Sequence, residues 1–166
     1  ALLERTGDRR LARLLREAGE KPVDAWWAMS ARRTALRRAE LDVWNEAALD
    51  AVICPPHATP AMAHRQSSDF ALALSYPFRY SLLDFPAGIA PVTCVRADDV
   101  APVAEGADRV ERKLADIDAA SVGLPVGVQV VARPYREDVA LAVLCALDAA
   151  LQGASDRPKT PIDPRG

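Results

Sequence analysis

From Leu2 to Ala18 the apolar residues Leu3, Leu11, Leu14, Leu15 and Ala18 recur at helical spacing, with Arg9, Arg10, Arg13 and Arg16 between them. This predicts a basic amphipathic helix, interrupted by Gly7 and stopped by Gly19 and Pro22. The next stretch, Val23 to about Leu49, sets Trp27, Ala31, Thr34, Leu41, Trp44 and Ala48 near one stripe and leaves Arg32, Arg33, Arg37 and Arg38 largely outside it. A long, half-buried helix is expected there. Ala51 to Cys54 is a short apolar run ended by Pro55 and Pro56, the look of a buried strand that feeds a loop carrying His57 and Pro60.

Further on, Gly88 to Val95 and Leu124 to Val131 are rich in β-branched residues and read as strands, whereas Glu105 to Ala120 and Glu137 to Leu151 read as helices. In the last helix Val139, Val143, Leu147 and Leu151 form an i, i+4 ladder. Glu137 and Asp138 favour its N-terminus, and Gly153 can close it. Residues 98 to 107 are the one candidate linker, no internal repeat is visible, and the tail from Ser155 to Gly166 is expected to be disordered. Helices alternating with near-continuous apolar strands predict one α/β unit whose sheet is covered on both faces.

Composition narrows this picture. The chain has 166 residues, half of them hydrophobic, and three tryptophans, enough to form a core as one domain or as a piece of a larger one. It opens at Ala1 on residues that already read as helix, so an N-terminal portion is expected to lie outside the sequence. With 21 basic against 23 acidic residues there is no field that would recruit a polyanion, and nucleic acid is not an expected partner. Three cysteines, widely spaced in apolar contexts, suit reduced thiols and a cytoplasmic location better than a disulfide framework. No apolar run of about 18 residues and no leader pattern is present in the sequence.

Two local patterns carry geometry. Pro86 in DFPAG biases Phe85 toward extended backbone, and Gly88 permits tight approach or a positive φ before the strand. Gly123, Pro125 and Gly127 leave little side-chain volume, so either a ligand approaches this strand or a neighbouring backbone packs tightly against it.

Three segments in order resemble the C-terminal region of the amidase-signature family: DAVICPPHATPAM (Asp50 to Met62), YSLLDFPAGIAPVT (Tyr80 to Thr93) and SVGLPVGVQVVARPYRED (Ser121 to Asp138). LDFPAG and the helix around Trp27 and Trp44 look most like the fatty acid amide hydrolase branch. The resemblance implies an α/β fold, the C-terminal portion of the amidase-signature fold with a mixed sheet covered by helices, over residues 1–154. It implies amide hydrolysis through an acyl-serine intermediate, with no metal or organic cofactor.

Enzymes of that family use a serine nucleophile in a glycine- and serine-rich loop, a second serine, and a lysine as terminal base, because a neutral serine attacks only when a positioned base takes its proton. None of these motifs is found here. Lys21, Lys113 and Lys159 lie in no apolar strand, and the adjacent Ser67 and Ser68 are flanked by Gln66 and Asp69 rather than glycines. No residue is therefore assigned to catalysis. The expected partners are an amide substrate in the full-length context and the missing N-terminal half of the amidase domain.

By position in the family, Leu14, Leu15, Ala71, Leu74 and Phe78, with Val110 the weakest match, correspond to the lining of an acyl channel. The same apolar residues also suit an ordinary core. Ser81 stands where the family commonly has asparagine, and the first helix is far more charged than an apolar membrane cap. A solvated helix covering protein is favoured over adsorption to a membrane surface. Cys54 and His57 in CPPH fall short of a zinc site, which needs about four ligands, and of a thiolate nucleophile, which needs an exposed electropositive setting. Asp50 and Asp84 read as junction and turn residues. A non-catalytic module binding protein or lipid is the alternative to an enzyme segment.

Overall fold

A computed structural model describes residues 19–64, 66, 67 and 75–158. The predicted first helix, with Leu14 and Leu15, and also Ala71, Leu74 and residues 159–166 lie outside the described residues. The chain divides into two compact units, residues 1–39 and 40–166.

Helix α1 spans Val23–Glu46. Pro22 precedes it, and the Trp26 amide donates to the Pro22 carbonyl at 3.1 Å, closing the first turn. The expectation of a half-buried stripe is corrected: Trp27 is 67% exposed, and only Glu40 and Trp44 on this helix are buried. Trp26, Met29, Leu36 and Val43 lie off the predicted stripe and are exposed as well, so the apolar residues are spread around the helix and define no single face to bury. The helix ends earlier than Leu49 because Ala48 takes a left-handed φ of 51° and the Leu49 amide turns back to the Trp44 carbonyl at 2.9 Å.

In the unit of residues 40–166, β1 (Ala51–Cys54), α2 (Ser75–Leu82), β2 (Ala87–Cys94), a short 3₁₀ turn (Ala97–Asp99), α3 (Arg109–Ala120), β3 (Pro125–Ala132) and α4 (Glu137–Ala150) follow in order. The α/β class is the one expected. The sheet runs β1-β3-β2, and both pairings among the described residues are antiparallel. Ile53 pairs with Val130 and Gly88 also pairs with Val130, so these three share a face. Helix α4 packs on that face, and a Cβ placed on Gly88 would come within 2.4 Å of Leu144 Cδ1. Close approach, not a positive φ, is what Gly88 permits.

The opposite face carries Val131, on which Trp44, Tyr80, Leu83 and Phe85 are clustered, with Val52 and Cys54 beside them. Trp44 and Phe85 meet at a centroid distance of 5.1 Å and Tyr80 and Phe85 at 6.0 Å, both tilted, an arrangement aromatic quadrupoles favour. Phe85 reaches this cluster because Asp84 adopts a left-handed φ of 60° and the Phe85 amide donates to the Tyr80 carbonyl at 3.0 Å, ending α2. The LDFPAG string is thus a helix stop followed by a strand start. Buried Glu40 accepts from Trp44 Nε1 at 3.0 Å and pairs with Arg79, so this carboxylate beside the cluster has partners on both oxygens.

Helix α3 begins at Arg109 rather than near Glu105. Asp108 accepts from the amides of Val110 and Glu111 while Glu111 reaches back to the Asp108 amide at 2.8 Å, a reciprocal capping box. We expect Asp108→Ala to lower stability by about 1 kcal/mol, read as a shift of the urea midpoint at unchanged m-value. Past α4, Asp156 accepts from the Thr93 hydroxyl at 2.9 Å and Arg157 pairs with Asp148.

Candidate functional site

The loop that leaves β1 and the start of β3 enclose an open depression of about 460 Å³, lined by residues 55–62 and 125–127. Sequence forces this shape. Pro55, Pro56 and Pro60 each fix φ and remove a backbone donor, so the loop cannot continue pairing with β3 and leaves the sheet instead. On β3, Gly127 has no side chain to fill the space. A Cβ there would lie 2.9 Å from Ile89 Cγ2 and 3.0 Å from the Ala90 carbonyl oxygen. Of the two readings of Gly127, the backbone of the neighbouring strand is what approaches it, and its main chain also forms part of the depression.

The walls are mostly apolar: prolines, Ala58, Ala61, Met62 and Val126, with no lysine or arginine among the described residues that line them. The polar side chains are His57 and Thr59, both half-buried. The Thr59 amide lies 3.2 Å from His57 Nδ1 and its hydroxyl 3.0 Å. The Thr59 carbonyl lies 3.2 Å from the same nitrogen, so Nδ1 has both a donor and an acceptor of the loop within reach. The Thr59 hydroxyl is also 3.1 Å from the Pro60 carbonyl. The ring is held by the loop itself.

Cys54 closes β1 just before this loop and is half-buried. Burial pushes its thiol up, which opposes thiolate formation and any nucleophilic role at neutral pH. The neighbouring Tyr80 phenol is pushed up too, by burial first and by Cys54 second. Because the folded state holds the Cys54 proton more tightly than the unfolded chain does, its contribution to stability is present below the unfolded thiol value and is lost as pH rises toward the folded one. We expect iodoacetamide at pH 8 to alkylate exposed Cys145 several times faster than Cys54, measured by peptide mass spectrometry.

Of the residues singled out for an acyl channel, the described Phe78 and Val110 do not line this depression. Leu14, Leu15, Ala71 and Leu74 lie outside the described residues. Phe78, on α2, is 66% exposed, and on the same helix Tyr76 and Leu82 are exposed with it. Val110, in the first turn of α3, is 54% exposed. The sequence signal for the depression was present in CPPHATPAM and GLPVG, where prolines and glycines cluster at the two ends of paired strands, but His57 was weighed only as a metal ligand or a partner for Cys54.

An antiparallel sheet flanked by helices, with a proline-rich loop and a glycine-bearing strand around an apolar depression, is the architecture of an α/β segment. Residues 4–141 match the sequence model of the Amidase family, and the chain belongs to that family. It is 36% identical over 110 residues to fatty acid amide hydrolase 1 of Caenorhabditis elegans, an overlap covering 63% of this chain and 19% of the nematode protein. It is 33% identical over 139 residues to fatty-acid amide hydrolase 1 of Sus scrofa, covering 80% of this chain and 23% of the pig protein. The chain thus spans about a fifth of the length of these relatives.

Proposed function

We propose that the chain is the C-terminal segment of an amidase-signature serine hydrolase that cleaves carboxylic amides, fatty acid amides in particular. It supplies sheet, cover helices and part of an acyl pocket, while the serine, second serine and lysine come from the remainder of the domain. The observation that carries this reading is the family match over residues 4–141 in a sequence without a Gly/Ser-rich serine loop or a lysine in an apolar setting. The names of the two relatives support the fatty amide class, and the apolar lining of the depression suits an acyl group. On this reading residues 1–154 belong to one amidase domain, and Phe78 on its exposed helix faces chain that the remainder supplies.

The test is hydrolysis of oleamide and of an acyl p-nitroanilide by the purified chain, alone and with the upstream part of an amidase-signature domain supplied, alongside a serine-directed fluorophosphonate probe. Turnover and labelling are expected only in the combined sample, with the label on the added part. Labelling of this chain by itself would place the nucleophile on one of its own serines and overturn the proposal. Tight association without turnover would favour a non-catalytic binding module.

A further inference from the structure

Helix α2 has eight residues, Pro77 among them, and is too short to hold an orientation of its own. Two neighbouring side chains anchor it. Tyr80 enters the aromatic cluster against Phe85, and Arg79 pairs with Glu40 on α1 while its guanidinium carbon lies 5.9 Å from the centre of the Tyr80 ring. Glu40 is the demanding half of the tether. Its side chain is 9% exposed, Trp44 Nε1 donates to one oxygen, and the other oxygen accepts from Arg79; loss of the arginine would leave a buried carboxylate without that charged partner.

Helical spacing turns these anchors into a direction. Phe78 and Leu82 stand two residues either side of Tyr80, about 160° around the helix from it. With Tyr80 seated in the core they face outward, 66% and 43% exposed. Tyr80 alone leaves the helix free to roll about its ring, and Arg79, about 100° further round, removes that freedom. We infer that Glu40 and Arg79 form a positioning pair for acyl recognition: by fixing the roll of α2 they set where Phe78 stands in the assembled domain, and so how strongly a long acyl chain is preferred to a short one. Neither residue touches substrate. Both lie outside the three family-like segments, so the pair is a feature of this chain. The inference rests on the amidase reading, in which Phe78 matches an acyl-lining place.

The substrates for the test are butyryl and decanoyl p-nitroanilide, which share a leaving group and differ in acyl length alone, hydrolysed by the full chain combined with the upstream part of an amidase-signature domain. Arg79→Met keeps the apolar stem and removes the charge. It is expected to raise KM for the decanoyl substrate about five-fold at unchanged kcat, and to leave both constants for the butyryl substrate within about two-fold. Arg79→Lys retains a cation and is expected to recover most of the loss. Phe78→Ala is expected to lower the decanoyl preference by about the same factor, and Arg79→Met added to it to lower it no further, because the arginine acts through the phenylalanine. In the chain alone, amide exchange over α2 is expected to quicken at least about three-fold in Arg79→Met.

Equal losses on both substrates would reduce the pair to a structural contact, and additive losses in the double variant would mean that Arg79 acts elsewhere. An unchanged decanoyl preference, or unchanged exchange over α2, would mean that the pair does not set the helix. Each of these overturns the inference, and with hydrolysis by the wild type it does so while leaving the amidase reading intact. Absence of hydrolysis by the wild-type combined sample is instead the failure of that reading, and the acyl role of the pair falls with it. The exchange measurement needs no turnover, so it reads the tether in either case.

Discussion

Trp44→Ala is expected to cost about 3–5 kcal/mol, the range for emptying a large aromatic site in a core. Trp44 is 2% exposed and packs on Phe85 at 5.1 Å within the cluster that covers Val131. The substitution removes that contact area and also the indole N–H that donates to Glu40, whose side chain is then left with Arg79 as its charged partner. Arg79 is itself more than half exposed, so solvent weakens that remaining pair and it cannot make up the loss. With typical domain stabilities of about 5–15 kcal/mol, such a cost removes a large fraction of the total. Equilibrium urea unfolding followed by far-ultraviolet circular dichroism measures it. Trp44→Phe separates the two effects, since it retains much of the ring packing and loses the hydrogen bond, and is expected to cost about half as much or less. A loss under about 1 kcal/mol for the alanine variant would mean that the aromatic cluster does not hold this face of the sheet.

How much of this was legible depended on whether a residue's partner is local. The run AVIC was expected as a strand and is β1 to the residue, because four apolar positions bounded by two prolines have few other solutions. The last helix was expected over Glu137 to Leu151 and spans Glu137–Ala150, since its i, i+4 ladder and acidic first turn act within the element. Helix α3 starts four residues later than expected: the capping box formed by Asp108 and Glu111 defines the start, and the glutamate upstream was taken as helical instead. Helix α2 was not anticipated. It has eight residues, with Pro77 inside its first turn, and its buried Tyr80 is set by contact with Phe85 beyond its own end. The exposure of Trp26 and Trp27 also defeated the pattern, because a stripe predicts which face can be buried and not whether a partner lies against it.

The site divides in the same way. Prolines and glycines in CPPHATPAM and GLPVG signalled irregular, closely packed backbone, and the depression forms between them. Its depth depends on antiparallel pairing of Cys54 with Gln129, two residues beyond Gly127 and 75 positions from the cysteine in sequence, which no local pattern encodes. The contact of His57 with Thr59 spans two residues and was within reach of sequence, but a histidine three residues from a cysteine invited metal and nucleophile readings first.

Arg133→Met is the other substitution with a large expected effect, and it tests whether the end of β3 holds the α1–β1 junction. Arg133 Nε donates to the Leu49 carbonyl at 2.8 Å, one terminal nitrogen to Asn45 Oδ1 at 2.6 Å, and the other to the Trp44 carbonyl at 3.2 Å. These acceptors sit on the last turn of α1 and just after it, where the helix dipole favours a cation. Methionine keeps most of the apolar stem and removes all three donors, so packing loss is small and the polar loss dominates. Charge-assisted bonds contribute about 1.5–3 kcal/mol each but share one side chain and do not add, so a loss of about 2–3 kcal/mol is expected. Arg133→Lys should recover less than half of it, because a single ammonium cannot reproduce the guanidinium fork across three acceptors. The readout is the urea midpoint together with amide exchange at Leu49 to Ile53, which should quicken in the methionine variant before exchange in α3 changes. Unchanged exchange in β1 would mean that strand pairing with β3 holds the junction without the arginine, and that the family-like string ending in ARP is there for another reason.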